Sequence, residues 1–159
     1  MNRHCKLALT AAALVAISNV GISSSALATD AKTFSGNGCQ AWYGSQRNDF
    51  DARHDGAYNT SAGSRWASCP ITRDNTTNAN GTQQVWVYVN HPGGANSTCY
   101  LRSQTATGTN LAADSRSGNG WISLNVGNSV NWGDHMLYCL IPSGGRLSHY
   151  YVSEYSPTD

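Results

Sequence analysis

The chain has 159 residues, with ten basic and nine acidic side chains and a formal net charge of +1. Lysine and arginine form no cluster, which excludes the concentrated positive charge that binding to nucleic acids or anionic membranes requires. A single domain is typically about 100–200 residues long, so the length predicts one domain.

The first 28 residues have the three parts of a cleaved signal peptide. Two positive side chains precede an apolar stretch at residues 7–17, and a run of small and polar residues then ends at Ala28. This order is that of a secretory leader. A membrane-spanning helix needs about 20 apolar residues, so the stretch is too short for an anchor. We expect a mature domain of residues 29–159, secreted or periplasmic, without membrane insertion.

Four cysteines remain after the predicted cleavage: Cys39, Cys69, Cys99 and Cys139. An even number of cysteines in a short exported chain indicates disulfides, and three pairings are possible. Zinc ligands come in close pairs, whereas neighbouring cysteines here are at least 30 residues apart. We favour Cys39–Cys69 with Cys99–Cys139, because this pairing keeps each bridge within its own half of the domain.

Short runs of alternating apolar and polar residues follow the leader, separated by turns rich in Gly, Asn, Ser and Thr. The clearest run is residues 85–89, where valines alternate with Trp86 and Tyr88. Such a period of two is typical of a strand. The other predicted strands are residues 39–45, 56–60, 65–73, 98–104, 120–126, 137–141 and 147–155. Residues 74–82 and 106–120 are predicted to be exposed loops.

About eight short strands without helical periodicity predict an all-β fold, an antiparallel β-sandwich with two disulfides. We favour a jelly-roll-like topology, and an immunoglobulin-like topology fits the same pattern. The alternation also predicts which side chains point into the core. They are Ala41, Ala67, Cys69, Ile71, Val85, Val87, Val89, Cys99, Leu101, Ile122, Leu124, Val126, Leu137, Cys139 and Ile141.

Alternating carboxylates at residues 49–56 resemble a calcium-binding loop in their spacing. The candidate ligands are Asp49, Asp51 and Asp55. Arg53 stands at a ligand position, where it removes an oxygen and adds an unfavourable charge. We therefore favour a polar loop over a calcium site, and we expect no cofactor.

The sequence has no motif for hydrolysis or nucleotide chemistry, such as a G-x-S-x-G elbow, a P-loop or a glycine-rich dinucleotide turn. Four histidines of the mature chain are scattered: His54, His91, His135 and His149. A His/Asp site can assemble from distant positions, so a small hydrolase stays as an alternative. We favour four unrelated histidines and a domain without catalytic activity.

Several aromatic side chains alternate with the predicted core positions and should therefore point outward. The candidate ligand-binding residues are Trp42, Trp86, Tyr88, Tyr100 and Trp121. Aromatic rings interleaved with amides and guanidinium groups are typical of sugar-binding surfaces, because the rings stack on C–H faces while polar groups bind hydroxyls. The alternative is that loops cover these rings, which then serve packing.

The leading hypothesis is an exported binding or surface domain whose ligand is an extracellular glycan or another extracellular macromolecule. A secreted protein-interaction module, such as an inhibitor or effector with a protein partner, is the first alternative. The small hydrolase with a His/Asp site is the second.

Overall fold

The structure, a computed structural model, describes residues 30–72, 82–126 and 133–155. The predicted leader and residues 74–81 of a predicted loop lie outside these ranges. Within the described ranges, no helix is long and apolar enough to cross a membrane.

Eleven strands make up most of the described residues. In chain order they are β1 (Asp30–Ser35), β2 (Gln40–Ala41), β3 (Phe50–Arg53), β4 (Gly56–Asn59), β5 (Arg65–Cys69), β6 (Thr82–Asn90), β7 (Ser97–Gln104), β8 (Asn110–Gly118), β9 (Gly120–Val126), β10 (Asp134–Ile141) and β11 (Arg146–Tyr155). Two short 3-10 helices, Gly36–Gly38 and Gly44–Asp49, flank β2.

The strands form two sheets whose inner faces enclose the core. Sheet A has the order β3-β4-β11-β6-β9, and β1 also pairs with β11. Sheet B has the order β2-β5-β10-β7-β8. All of these pairings are antiparallel. The predicted all-β sandwich is confirmed.

The core lies between the two sheets, and it contains the side chains that the alternation of apolar and polar residues predicts to point inward. Val85, Val87 and Val89 are completely buried, and burial of each such side chain contributes about 1.5–3 kcal/mol. Of the predicted core residues, Ala41 and Ile71 are partly rather than fully buried, and Ile71 still packs against the core. The buried apolar residues absent from the prediction are Cys39, Ala57, Tyr138, Leu147, Tyr150 and Val152.

The prediction of a loop at residues 106–120 is wrong, because β8 occupies most of it as the edge strand of sheet B. Most β8 side chains are exposed, and only Ala112 packs against the core. A strand that buries so few side chains lacks the alternation of apolar and polar residues from which strands are predicted. β3, an edge strand of sheet A with three exposed residues of four, was absent from the prediction for the same reason.

The two disulfides have the pairing favoured from the sequence. Cys99 and Cys139 lie directly opposite each other on β7 and β10. The Cys39–Cys69 bridge ties the residue before β2 to the end of β5. Both bridges therefore brace sheet B rather than joining it to sheet A.

Candidate ligand-binding site

The outer face of sheet A carries two rows of side chains that run across β1, β11, β6 and β9. The strand register places Thr33, Tyr151, Trp86 and Ser123 in one row, and Ser35, His149, Tyr88 and Trp121 in the next. We call the five rings in these rows, those of Trp86, Tyr88, Trp121, His149 and Tyr151, the aromatic platform. Residues far apart in sequence meet here because β11 lies between β1 and β6.

Contacts between the rings hold the aromatic platform in place. The Tyr88 ring stacks on His149 with their centroids 5.4 Å apart, and it meets Trp121 at 5.2 Å with the planes 60° apart. Trp86 packs edge-on against Tyr151 at 5.4 Å. Even so, Trp121 keeps 58% of its surface exposed. The rings are thus ordered before a ligand arrives, which lowers the entropy cost of binding.

An open depression of about 350 Å³ lies on the platform, lined by Thr33 and by all its rings except Tyr88. This volume is within the range of small-ligand sites, which is about 300–1,000 Å³. Its floor is mainly aromatic carbon, and the Thr33 hydroxyl and the ring heteroatoms supply hydrogen-bonding groups. The depression can therefore receive a ligand with both an apolar face and hydroxyl groups.

A second depression of about 480 Å³ adjoins the first and shares Thr33 and His149 with it. Its charged lining residues are Asp55 and Arg146. Arg146 Nη1 donates to Asp55 Oδ2 at 2.6 Å and to the Tyr58 hydroxyl oxygen at 2.6 Å. The Tyr58 hydroxyl in turn donates to Asp55 Oδ2 at 2.7 Å. This closed set of contacts balances one positive charge against one negative charge.

The hydrogen bond from Tyr58 holds the pKa of Asp55 below its ordinary value, and Arg146 adds to this effect. The same Tyr58 hydroxyl raises the pKa of Arg146. Asp55 is therefore an ionised acceptor and not a proton donor near neutral pH. Such a pair can orient sugar hydroxyls, whereas a general acid needs a raised pKa.

The candidate ligand-binding residues from the sequence divide between the two sheets. Trp86, Tyr88 and Trp121 lie together on the platform, whereas Trp42 and Tyr100 lie at the outer face of sheet B. The prediction treated these residues as one set, and the structure brings only the first three together. Alternation indicates that a side chain points outward but not from which sheet.

On sheet B, Trp42 and Tyr100 both pack against Tyr138, an outer-face residue of β10. The Tyr100 and Tyr138 rings are nearly parallel, with centroids 5.2 Å apart, and Trp42 lies 5.1 Å from Tyr138. Burial under these rings raises the pKa of Tyr138, and nearby Arg102 opposes the shift. Trp42 remains 40% exposed. Tyr138 thus serves packing, while Trp42 is accessible to a ligand.

Tyr151 and His149 were absent from the candidate residues, although β11 was a predicted strand. The register of β11 shifts between Leu147 and His149, so Ser148 is an extra residue in the strand. Strict alternation counted from the buried Leu147 would place His149 inward and Tyr150 outward. The irregularity reverses this, so Tyr150 is buried and its neighbours face outward. The sequence around residue 148 carries no signal for this shift.

The structure does not bring the calcium candidates together. Asp49 pairs with Arg65, Asp51 with Arg53 at 2.7 Å, and Asp55 with Arg146. Each carboxylate therefore has a different arginine partner. In the described parts of the chain, no group of three His, Cys, Asp or Glu side chains converges as a metal site.

The histidines do not gather at one place. The His91 ring orders its own turn, since Nδ1 accepts hydrogen bonds from the Gly93 and Ala95 amides and Nε2 lies 2.9 Å from the Ser143 carbonyl oxygen. His135 is buried on β10 of sheet B. His54 and His149 line the 480 Å³ depression together. The carboxylate beside them is engaged by Arg146 and Tyr58, which disfavours a role as a histidine-orienting acid.

Comparisons with known proteins find similarity at the level of the fold. No known protein family and no curated protein sequence matches the chain. Among solved structures, the C-terminal CBM6 of LamC, a marine laminarinase from Zobellia galactanivorans, has 14% identity and a TM-score of 0.44, covering 78% of this chain and 99% of that one.

Two further solved structures are similar to the same degree. The GH26-CBM35 β-(1,4)-mannanase of Podospora anserina has 11% identity and a TM-score of 0.43, covering 81% of this chain and 28% of that one. TmCBM61, solved with β-1,4-galactotriose, has 9% identity and a TM-score of 0.40, covering 78% of this chain and 88% of that one. These neighbours are or contain carbohydrate-binding modules, and at such values the likeness concerns the fold alone.

Proposed function

We propose that the protein is an exported domain without catalytic activity that binds an extracellular glycan through the aromatic platform. The platform itself carries the proposal: five rings lie side by side on one open sheet face, next to hydroxyl groups and a fixed ion pair. Sugar rings offer C–H faces that stack on aromatic carbon and hydroxyls that bind polar groups. The arrangement suits that chemistry.

The charge of this face favours a neutral glycan. The two described rows contain no Lys, Arg, Asp or Glu side chain. The charged residues of the adjoining depression, Asp55 and Arg146, neutralise each other. Four strands about 4.8 Å apart give the platform a width of roughly 14 Å, enough for a short oligosaccharide.

Export is the second part of the proposal. Two disulfides are typical of proteins from oxidising compartments. We infer that residues 1–28 are removed after Ala28, and the first described strand begins shortly afterwards, at Asp30. Mass spectrometry of the protein recovered from the culture medium or periplasm should give the mass of residues 29–159 with both disulfides formed. A protein that stays in the cytoplasm with its leader intact would contradict export.

Truncation of exposed platform rings tests the glycan site. A glycan array first identifies a neutral oligosaccharide, and isothermal titration calorimetry then compares the wild type with Trp121→Ala and Trp86→Ala. Loss of a stacking side chain of this size costs about 1.5–3 kcal/mol, so we expect affinity to fall roughly ten- to hundredfold.

Leu111→Ala is the matched control, because Leu111 is a 39% exposed apolar residue on β8 of sheet B. This variant should bind as the wild type does. Wild-type protein that binds no glycan, or unchanged affinity in both tryptophan variants, would overturn the proposed function.

A further inference from the structure

A separate cleft of about 690 Å³ lies at the edge of the sandwich, where sheet B meets the first strands of sheet A. Residues of β2 and of the 3-10 helix Gly44–Asp49 form one side, and Phe50, Ala52 and Ala57 of β3 and β4 form an apolar side. None of the described residues that line the cleft also lines either depression on the platform. A ligand bound here would therefore contact a different part of the molecule.

Trp42 is the exposed aromatic group of this cleft. Its indole borders both the cleft and a second depression of about 410 Å³, which Gln40 and Ala41 also line. Contact with Tyr138 holds one side of the ring at a centroid distance of 5.1 Å. The remaining surface is available for stacking, and the Asn37 and Gln40 amides lie in the same lining. These groups supply a stacking face with donors and acceptors.

Arg47 adds a positive charge without a matching carboxylate. Among the arginines that the structure describes, four form ion pairs and Arg102 lies over the Tyr138 ring, whereas Arg47 takes part in neither type of contact. Arg47 lines the cleft, and none of the other described lining residues is acidic. Asp49, two residues away, pairs with Arg65. The cleft is therefore electropositive, in contrast to the balanced charges beside the platform.

We propose that this cleft binds a negatively charged sugar, one that bears a carboxylate or a sulfate. The Arg47 guanidinium binds the anionic group, since its planar donors match a carboxylate or sulfate in two parallel hydrogen bonds. The sugar ring stacks on Trp42, and the Asn37 and Gln40 amides bind its hydroxyls. This inference goes beyond the proposed function and does not depend on it, because it concerns other residues and another class of ligand.

Isothermal titration calorimetry with defined tetrasaccharides tests the cleft. The probes are tetragalacturonic acid for the carboxylate, a sulfated carrageenan tetrasaccharide for the sulfate, and maltotetraose as the uncharged comparison. We expect the wild type to bind at least one anionic probe. Arg47→Gln and Trp42→Ala should each weaken that binding at least about tenfold. Affinity in the wild type should also fall as salt rises, and this dependence should be reduced in Arg47→Gln.

Two matched variants separate the cleft from general electrostatics and from the platform. Arg116→Gln removes the same charge from an exposed position on β8 and should leave binding of the anionic probes unchanged. Trp121→Ala should also leave binding of the anionic probes unchanged. Absence of binding to both anionic probes, unchanged affinity in Arg47→Gln, or an equal loss in Arg116→Gln would overturn the proposal. Loss in Trp121→Ala but not in Trp42→Ala would place the anionic sugar on the platform instead.

Discussion

Tyr150 shows at the scale of a single residue how a polar group is accommodated in this core. Its ring stacks on Phe34 at a centroid distance of 5.1 Å, and its hydroxyl donates to the Pro70 carbonyl oxygen. The ring is almost completely buried. Burial disfavours the phenolate and raises the pKa of Tyr150 to about 12. The contact also ties β11 of sheet A to the residue that follows β5 of sheet B.

This shift predicts a specific loss of stability at alkaline pH. Above pH 10 the unfolded chain loses the Tyr150 proton while the folded protein keeps it, so stability declines until the pH reaches about 12. The rise in the pKa of Tyr150 corresponds to a loss of roughly 2–3 kcal/mol in the free energy of unfolding. Urea unfolding of the wild type and of Tyr150→Phe between pH 8 and pH 12 measures this loss of stability. The difference by which the free energy of unfolding of the wild type exceeds that of Tyr150→Phe should shrink over this pH window.

Tyr43→Phe is the control for this experiment, because Tyr43 is half exposed. The difference between its stability and that of the wild type should stay nearly constant over the same pH window. A constant difference between the wild type and Tyr150→Phe would contradict the assigned burial effect.

The sequence was also most informative about single residues, namely about whether a side chain points inward or outward. Val85, Val87 and Val89 point inward and Trp86 and Tyr88 outward, as the period-two pattern predicts. The prediction succeeds because β6 has β11 on one side and β9 on the other and buries only one face of its side chains. Ser148 is an extra residue in β11, so strict alternation counted from Leu147 assigns Tyr150 and His149 to the wrong faces of the sheet.

At the scale of elements, the 3-10 helix Gly36–Gly38 lies against the irregular part of β11. A Cβ atom on Gly36 would clash with the Leu147 carbonyl oxygen, whereas a Cβ atom on Gly38 would meet no described atom within 4 Å. Both glycines belong to the same short helix. Close approach of two backbones, and not the helix itself, therefore requires glycine at position 36.

We expect Gly36→Ala to destabilise the protein and Gly38→Ala to leave it almost unchanged. The clash is with backbone of a central strand, which cannot move aside, so the loss should be about 2–4 kcal/mol. Thermal unfolding followed by circular dichroism compares the two variants. Equal melting temperatures for them would show that the backbones do not approach each other this closely.

Sheet B has its own stabilising element in the Cys99–Cys139 bridge between β7 and β10. The bridge closes a loop of 40 residues, for which the chain-entropy account gives about 4 kcal/mol of stabilisation. Replacing both cysteines with alanine should lower the free energy of unfolding by up to that amount, as measured in urea. The platform lies on the other sheet, so glycan affinity below the melting temperature should change little. A large loss of affinity in the folded variant would show that the sheets are coupled.

At the scale of the whole molecule, the sandwich places two chemically different surfaces on one small domain. The platform faces outward from sheet A and is charge-balanced, while the cleft beside Trp42 and Arg47 lies at the edge and is electropositive. The five candidate aromatics of the sequence prediction are shared between sheet A and sheet B, and only the sheet order reveals this. We propose a neutral glycan as the ligand of the platform and a negatively charged sugar as the ligand of the cleft.

The sequence by itself determined the all-β class, the inward and outward positions on the regular strands, and the expectation of two disulfides, with one of three possible pairings favoured. These properties depend on local period and on cysteine number, which a linear pattern records. Only the tertiary structure decided which rings share a face, because β1, β6, β9 and β11 come together from distant parts of the chain. It also decided the charge of each surface, since Asp55 pairs with Arg146 across 91 positions, whereas Arg47 forms no ion pair with a described residue.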